Sequence, residues 1–111
     1  MATIYKICDA ALWARVQEEG RLDGAPVDLA DGFIHFSTAE QVAETAAKHF
    51  AGQDDLVLLA VEANDLGEAL KWEPSRGGAL FPHLFRPLDA SEILWSRPMT
   101  LGEDGVHEVA L

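Results

Sequence analysis

The first twenty residues combine an alternating pattern with a helical one. Residues Thr3 to Cys8 are rich in β-branched and aromatic side chains and alternate along the chain, which predicts a first strand. An apolar stripe then recurs at helical spacing between Asp9, a typical N-cap, and Gly20, a typical C-cap. The pattern therefore predicts a helix from Ala10 to Glu19 directly after the strand.

A second helical pattern follows a loop and a short strand. The segment from Arg21 to Ala30 is predicted as a loop, and the turn residues Asp31-Gly32 precede a short strand from Phe33 to Phe36. Residues Ser37 to Glu40 match a capping box, and apolar residues then recur at helical spacing until Gly52. Ser37 is therefore predicted to cap a second helix, with Glu40 reciprocating.

Strand patterns dominate the second half of the chain. The continuous apolar run from Leu56 to Val61 has strand length and predicts a central strand covered on both faces. A flexible loop is predicted from Pro74 to Gly78. Further strands are predicted at Leu70–Glu73, Ala79–Leu84, Ile93–Thr100 and Val106–Val109. Two helices in the N-terminal half and strands later favour the α+β class, as one small domain over residues 1–111 with mixed or antiparallel sheets.

Composition and charge narrow the range of partners. The chain has 111 residues, of which 49% are hydrophobic, so a packed core is expected. Its net charge is −11, from 19 acidic and 8 basic residues, and such a surface repels the phosphates of long DNA or RNA. A local cluster of arginine and backbone N–H groups could still bind a small anionic molecule. We therefore expect a small-molecule ligand and no long nucleic acid; the oligomeric state is left open.

The chain shows the marks of a cytoplasmic protein. No apolar run approaches the roughly 20 residues that cross a bilayer, and the N-terminus lacks the basic and apolar regions of a signal peptide. Cys8 is the only cysteine, which excludes an internal disulfide and fits a reducing compartment. We expect no membrane association, a cytoplasmic location and a buried Cys8 that serves as a core residue.

The segment from Asp31 to Ser37 places two chemically versatile side chains beside aromatic residues. On a strand, His35 shares one face with Phe33 and Ser37, about 7 Å from the serine. This separation is too long for a direct nucleophile–base hydrogen bond, and no GxSxG turn is present, so a serine hydrolase is disfavoured. A purely structural role stays open for His35, as does the capping role for Ser37.

The segment from Trp72 to His83 contains the other candidates. Glu73 could act as a general base or accept a hydrogen bond from a ribose hydroxyl, and the alternative is a solvated glutamate. Arg76 stands beside two glycines and could approach a phosphate, or belong to a turn. Phe81 and Pro82 hold His83 in an apolar, stiff segment.

A metal site formed by His35, His83 and Glu73 is conceivable. Their spacing matches no closed ligand pattern, and the single cysteine excludes a thiolate cluster. Metal is therefore not predicted.

In these two segments the chain resembles the bacterial domain-of-unknown-function 952 (DUF952) family. The resemblance runs nearly end to end. The matching features are Ile4 to Ile7, Trp13, Asp31 to Ser37, Gln41, Leu58-Leu59, Trp72-Glu73 and Phe81 to Leu84. At Phe85-Arg86 this chain departs from the Tyr-Gly common among relatives, which puts any role of a hydroxyl at position 85 in doubt.

The resemblance implies a fold and a chemistry. The family is similar in fold to the ADP-ribosyltransferase superfamily, particularly its tRNA 2′-phosphotransferase branch, in which two small sheets enclose a cleft that holds NAD. By this resemblance His35 and Ser37 would contact nicotinamide or ribose, while Glu73 and His83 would orient or activate the reacting hydroxyl. It also implies that Arg76 contacts phosphate and that the aromatic residues Trp72 and Phe81 contact the cofactor. His35, Glu73 and His83 would thus be catalytic.

Three functions remain open at this stage. The first is an NAD-using transferase or NAD-cleaving enzyme, with NAD as the one cofactor that the resemblance suggests. The second is a non-catalytic module that binds a nucleotide-like small molecule. The third is a metal-assisted hydrolase that uses the two histidines.

Overall fold

The computed structural model describes residues 2–75, 78–109 and 111 of the chain. Short 3₁₀ turns span Ala63–Ala69 and Ala90–Glu92. The helices and strands, in chain order, are β1 Thr3–Asp9, α1 Ala10–Glu19, β2 Arg21–Leu22, α2 Pro26–Asp31, β3 Ile34–His35, α3 Val42–His49, β4 Leu56–Glu62, β5 Leu70–Ser75, β6 Ala79–Leu84, β7 Leu88–Asp89, β8 Ile93–Leu101 and β9 His107–Glu108. The predicted α+β class is confirmed, with antiparallel pairing throughout the described strands.

Two antiparallel sheets meet at the start of the chain. The larger sheet has the strand order β1-β4-β8-β9, and the second has the order β3-β6-β5. Strands β2 and β7 form a separate two-stranded sheet. Ser37, just past β3, exchanges two backbone hydrogen bonds of 2.8 Å with Tyr5 on β1. This bridge ties the second sheet to the first and sets the position of β3.

Apolar side chains pack on both sides of the larger sheet. One cluster joins that sheet to α1 and the second sheet through residues such as Ile4, Val16, Phe36 and Leu84. The other lies between the sheet and α3. Strand β4 is buried along nearly its whole length, as its continuous apolar run predicted. Cys8 is also buried, and burial raises the pKa of its thiol to about 12, consistent with an unreactive core residue.

Helix α1 follows the prediction closely because its signals are local. The Asp9 side chain accepts a hydrogen bond of 2.7 Å from the backbone N–H of Leu12. Gly20 ends the helix with φ +77°, a left-handed conformation that glycine adopts at little cost. The caps alone therefore fixed both ends of this element.

The segment between Arg21 and Ala30 is not the loop that the sequence predicted. It contains β2 and most of α2, a third α-helix beyond the two expected. Gly32, with φ +87°, ends α2, and Pro26 occupies its first turn. The helix has only six residues and exposes Val27 and Leu29, so it has no apolar stripe for a pattern to detect.

The predicted cap of the second long helix is wrong. Helix α3 begins at Val42, and the hydroxyl of Ser37 instead contacts the hydroxyl of Thr45 at 2.9 Å. The backbone of Ser37 is engaged with Tyr5 and is therefore not free to initiate a helix.

Strand β5 is longer than the sequence predicted. It continues through Pro74 to Ser75, where a loop was expected from Pro74. The proline is tolerated because β5 is an edge strand. Within the described residues, no helix is long and apolar enough to cross a membrane.

Candidate functional site

Strand register brings the two predicted segments together on one face of the second sheet. His35 on β3 lies directly opposite His83 on β6, and Glu73 on β5 lies opposite Phe81. Directly opposed residues of antiparallel strands point to the same face, and residues two apart share it. His35, His83, Glu73 and Phe81 therefore belong to one surface, and the ring centroids of the two histidines lie 5.5 Å apart.

Asp28, on α2, lies beneath this surface and is almost completely buried. Its Oδ1 accepts hydrogen bonds from the backbone N–H of His35 at 3.1 Å and from Nδ1 of the same residue at 2.6 Å. Its Oδ2 accepts from the backbone N–H of Ala25 at 2.8 Å. Lys6 contacts both oxygens, at 3.0 and 2.8 Å.

These contacts keep the Asp28 carboxylate ionised. Burial by itself raises the pKa of an aspartate, but the hydrogen bond from His35, the charge and hydrogen bond of Lys6 and the N–H of Ala25 outweigh it. The pKa of Asp28 consequently falls to about 2. A permanent negative charge thus lies under the histidine pair.

His35 lies between two carboxylates. Its Nδ1 faces buried Asp28, and its Nε2 lies 2.9 Å from Oδ2 of Asp31, an exposed residue at the end of α2. Ionised carboxylates only accept hydrogen bonds, so both contacts are satisfied when both ring nitrogens carry protons. Of the two nitrogens, Nε2 is the one directed toward the surface.

His83 is paired in a different manner. Its Nδ1 lies 2.9 Å from Oε1 of Glu73, and the histidine is buried whereas the glutamate side chain is 43% exposed. The exposed surface of this pair therefore belongs mainly to the carboxylate of Glu73.

Phe33 provides an aromatic surface at the centre of the cluster. Its ring stacks on His83 with centroids 4.2 Å apart and an interplanar angle of 27°. It also contacts His35 at 4.6 Å and Phe85 at 5.0 Å. Phe33 therefore touches both histidines and continues the site toward a neighbouring cavity.

That cavity has a volume of about 280 Å³ and an open mouth. Its walls include Asp23, Asp28, Leu29, Phe33, Phe85 and Arg86. Arg86 forms a two-pronged ion pair with Glu92, at 2.9 and 2.8 Å, which raises the pKa of Arg86 and lowers that of Glu92. The charge of Arg86 is thus already balanced by Glu92.

The candidate residues from the sequence fall into three groups. His35, Glu73 and His83 come together, and Phe81 lies buried on the same face. Trp72 lies on the opposite face of β5, half exposed, and Ser37 is buried against Thr45. Arg76, with its predicted phosphate contact, lies outside the described residues.

Sequence reasoning missed Lys6 and Asp28. Lys6 carries a weak signal, because it interrupts an otherwise apolar strand and a lysine is almost never buried without a partner. Asp28 carries none, since an aspartate near the start of a helix is ordinarily a solvated residue. In the described part of the chain, no group of three or more His, Cys, Asp or Glu side chains is placed to hold a metal ion.

Comparison with known proteins agrees with this architecture. The family model described as "Protein of unknown function (DUF952)" matches residues 7–96. The chain belongs to this family. No curated protein matches the chain.

Solved structures of protein CC0527 from Caulobacter crescentus are similar to this DUF952 protein throughout. The crystal structure is 58% identical, covers 96% of this chain and 93% of its own, and superimposes with a TM-score of 0.92. The solution NMR structure is 59% identical over 96% of this chain and 91% of its own, with a TM-score of 0.86.

Proposed function

We propose that this DUF952 protein binds NAD or a closely related nucleotide and cleaves the bond between nicotinamide and ribose, as an ADP-ribosyltransferase-like enzyme or an NAD glycohydrolase. The observation that carries the proposal is the pair of carboxylate-bonded histidines, His35 with Asp28 and His83 with Glu73, whose rings both contact Phe33. Oriented imidazole–carboxylate pairs are a recurring means of moving protons at a reacting centre.

The charge of the site favours this bond over a phosphoryl group. Cleavage at the anomeric carbon of a sugar passes through an oxocarbenium-like state, in which positive charge develops on the ribose. Lys6 balances the charge of Asp28, which leaves the carboxylates of Asp31 and Glu73 beside the histidine pair. Such a site stabilises a developing cation and opposes the negative charge of phosphoryl transfer.

The aromatic cluster suits nicotinamide, the group that leaves when the bond to ribose is cleaved. A cationic nicotinamide ring is attracted to the face of an aromatic ring, and Phe33 is only partly buried. The adjoining cavity of about 280 Å³ is near the lower end of the roughly 300–1,000 Å³ of ligand pockets, enough for part of a dinucleotide.

Roles for the titratable groups follow from their exposure. Glu73 presents its half-exposed carboxylate and would accept the proton of the attacking water or acceptor hydroxyl, with His83 holding it in place. His35 would donate a hydrogen bond through Nε2 to the ribose or the carboxamide once Asp31 turns aside.

A second candidate is a non-catalytic module that binds a nucleotide-like molecule. It is favoured by one observation: both ring nitrogens of His35 are already hydrogen bonded to carboxylates, an arrangement that is stable without any reaction. This candidate predicts that NAD raises the melting temperature and that no product forms. Within the described ranges, no cluster of His, Cys, Asp or Glu side chains is placed to hold the metal that a metal-assisted hydrolase needs.

The test measures binding and turnover separately. Thermal shift with millimolar NAD and release of nicotinamide by chromatography are compared for the unaltered chain, Glu73→Gln, His35→Ala and the remote exposed control Glu18→Gln. We expect Glu73→Gln to keep the shift and to lose about 10²- to 10⁴-fold in nicotinamide release. A shift without product in the unaltered chain would establish the binding module. No shift with NAD, ADP-ribose or nicotinamide would exclude both candidates.

A further inference from the structure

The ion pair between Lys6 and Asp28 is unusual because both side chains are buried, at 6% and 1% exposure. Removing two charges from water is costly, and replacing a buried ion pair by apolar residues of similar size is often neutral or stabilising. Strand β1 could therefore pack against α2 with an apolar pair at these positions. The charges of the pair, as distinct from the hydrogen bonds that Asp28 accepts from the backbone N–H groups of Ala25 and His35, call for an explanation other than stability.

The remaining contacts of Asp28 lead directly to the candidate site. Its Oδ1 receives both the backbone N–H and the ring Nδ1 of His35, so the imidazole is held at two points. Lys6 comes from the first sheet, Asp28 from α2 and His35 from the second sheet. Three separate elements thus converge to fix one ring.

We propose that Asp28 is a positioning residue, with Lys6 as its counter-ion, that keeps a proton on Nδ1 of His35 so that Nε2 is the nitrogen that exchanges protons with the cleft. The consequence for catalysis rests on the proposed function, whereas the position of the proton does not. Asp28 accepts hydrogen bonds from a buried position, and exposed Asp31 can turn to solvent when Nε2 releases its proton. A neutral His35 should therefore be the Nδ1–H tautomer.

An amide cannot replace the carboxylate in this position. Oδ2 accepts from Ala25 and Lys6, and Oδ1 accepts from His35 and Lys6, so each oxygen faces at least two donors. In Asp28→Asn, the NH₂ group meets donors in either orientation. With the NH₂ group at the Oδ1 position the ring loses its acceptor at Nδ1; with it at the Oδ2 position Nδ1 keeps an uncharged acceptor, and the NH₂ group opposes Ala25 and Lys6 instead.

The structure contains an internal reference with the opposite tautomer. Nε2 of His107, on β9, lies 2.7 Å from the backbone carbonyl of Gln53, and a carbonyl only accepts, so His107 carries its proton on Nε2. Ring ¹⁵N chemical shifts of the uniformly labelled chain, measured by NMR at a pH where both rings are neutral, report the two tautomers in one spectrum. We expect Nδ1–H for His35 and Nε2–H for His107.

Two matched variants separate positioning from a general structural effect. Asp28→Asn, which leaves Nδ1 of His35 at most an uncharged acceptor, should lower the population of the Nδ1–H tautomer, while Asp31→Asn, which alters the contact at the other ring nitrogen, should not. His107 should be unchanged in both. Should Asp28→Asn fail to fold, the double variant Lys6→Met/Asp28→Leu removes both charges and leaves none uncompensated; it should likewise release the Nδ1 proton.

Each outcome decides the proposal. An Nε2–H tautomer for His35 in the unaltered chain overturns it, as does an unchanged Nδ1–H in the folded Lys6→Met/Asp28→Leu variant, in which residue 28 offers no acceptor. The measurement uses no NAD, so absence of nicotinamide release would defeat the proposed function and leave this inference standing. If both hold, the folded Asp28 variant also loses about 10²- to 10⁴-fold in nicotinamide release.

Discussion

The two histidine–carboxylate pairs use the same bond with opposite burial. In the first pair the carboxylate of Asp28 is 1% exposed and the ring of His35 is 26% exposed. In the second pair the ring of His83 is 6% exposed and the carboxylate of Glu73 is 43% exposed. One pair therefore presents a ring nitrogen to the surface, and the other presents a carboxylate oxygen.

This difference assigns different tasks to two similar-looking contacts. A buried, ionised carboxylate polarises and orients the ring above it, so the first pair suits proton transfer through nitrogen. A buried ring that supports an exposed carboxylate suits acceptance of a proton or stabilisation of a cation. The two pairs differ in which group is buried, Asp28 in the first and His83 in the second. Their hydrogen-bond distances of 2.6 and 2.9 Å are similar.

The largest expected effect separates the pairs by stability. Asp28→Ala leaves Lys6 buried and unpaired, and such a loss costs about 3–5 kcal/mol of unfolding free energy. Glu73→Ala should cost about 1 kcal/mol or less, because water can replace an exposed carboxylate. Urea unfolding measures both variants; Lys6→Met/Asp28→Leu should lose less than Asp28→Ala, because it leaves no charge unpaired, although the N–H groups of Ala25 and His35 lose their acceptor. Equal losses in the two alanine variants would contradict the comparison.

A smaller effect concerns how the unfolding free energy falls at acidic pH. The pKa of Asp28 is lowered from its ordinary 3.8 to about 2 by His35, Lys6 and Ala25 against the opposing effect of burial. A lowered carboxylate pKa stabilises the fold at pH above the unfolded value, so this contribution of about 2 kcal/mol is lost as pH falls from about 4 to 2. Urea unfolding over this range should show a correspondingly flatter profile in Lys6→Met/Asp28→Leu. Parallel profiles would show that Asp28 contributes nothing to acid sensitivity.

The smallest effect concerns the ring between the pairs. Phe33→Leu keeps the apolar contact and removes the aromatic stacking on His83, for an expected loss of about 0.5–1.5 kcal/mol. Phe85→Leu is the matched control, because Phe85 is more exposed and contacts Phe33 rather than the histidines. Thermal unfolding with and without NAD should show a larger reduction of the ligand shift in Phe33→Leu than in Phe85→Leu, whose side chain lines only the adjoining cavity. A larger loss of ligand shift in Phe85→Leu would move the binding surface from the histidine pair to the cavity.

Local signals were sufficient for the elements that carry them. Strand β1, helix α1 and strand β4 lie close to their predicted positions, because alternation, caps and a continuous apolar run act over a few residues. Helix α2 was not predicted, since a six-residue helix with exposed apolar side chains has no stripe. The capping signal at Ser37 failed because a backbone partner 32 residues earlier, Tyr5, occupied that residue.

The sequence by itself determined the α+β class, the family and three of the side chains of the candidate site, His35, Glu73 and His83. Only the tertiary structure decided which of them meet, because the register of β3, β6 and β5 sets the distance between residues far apart in the chain. It also revealed Asp28, whose 22-residue separation from Lys6 leaves no pattern along the chain. Burial gives that carboxylate its chemistry, and burial is a property of the whole fold.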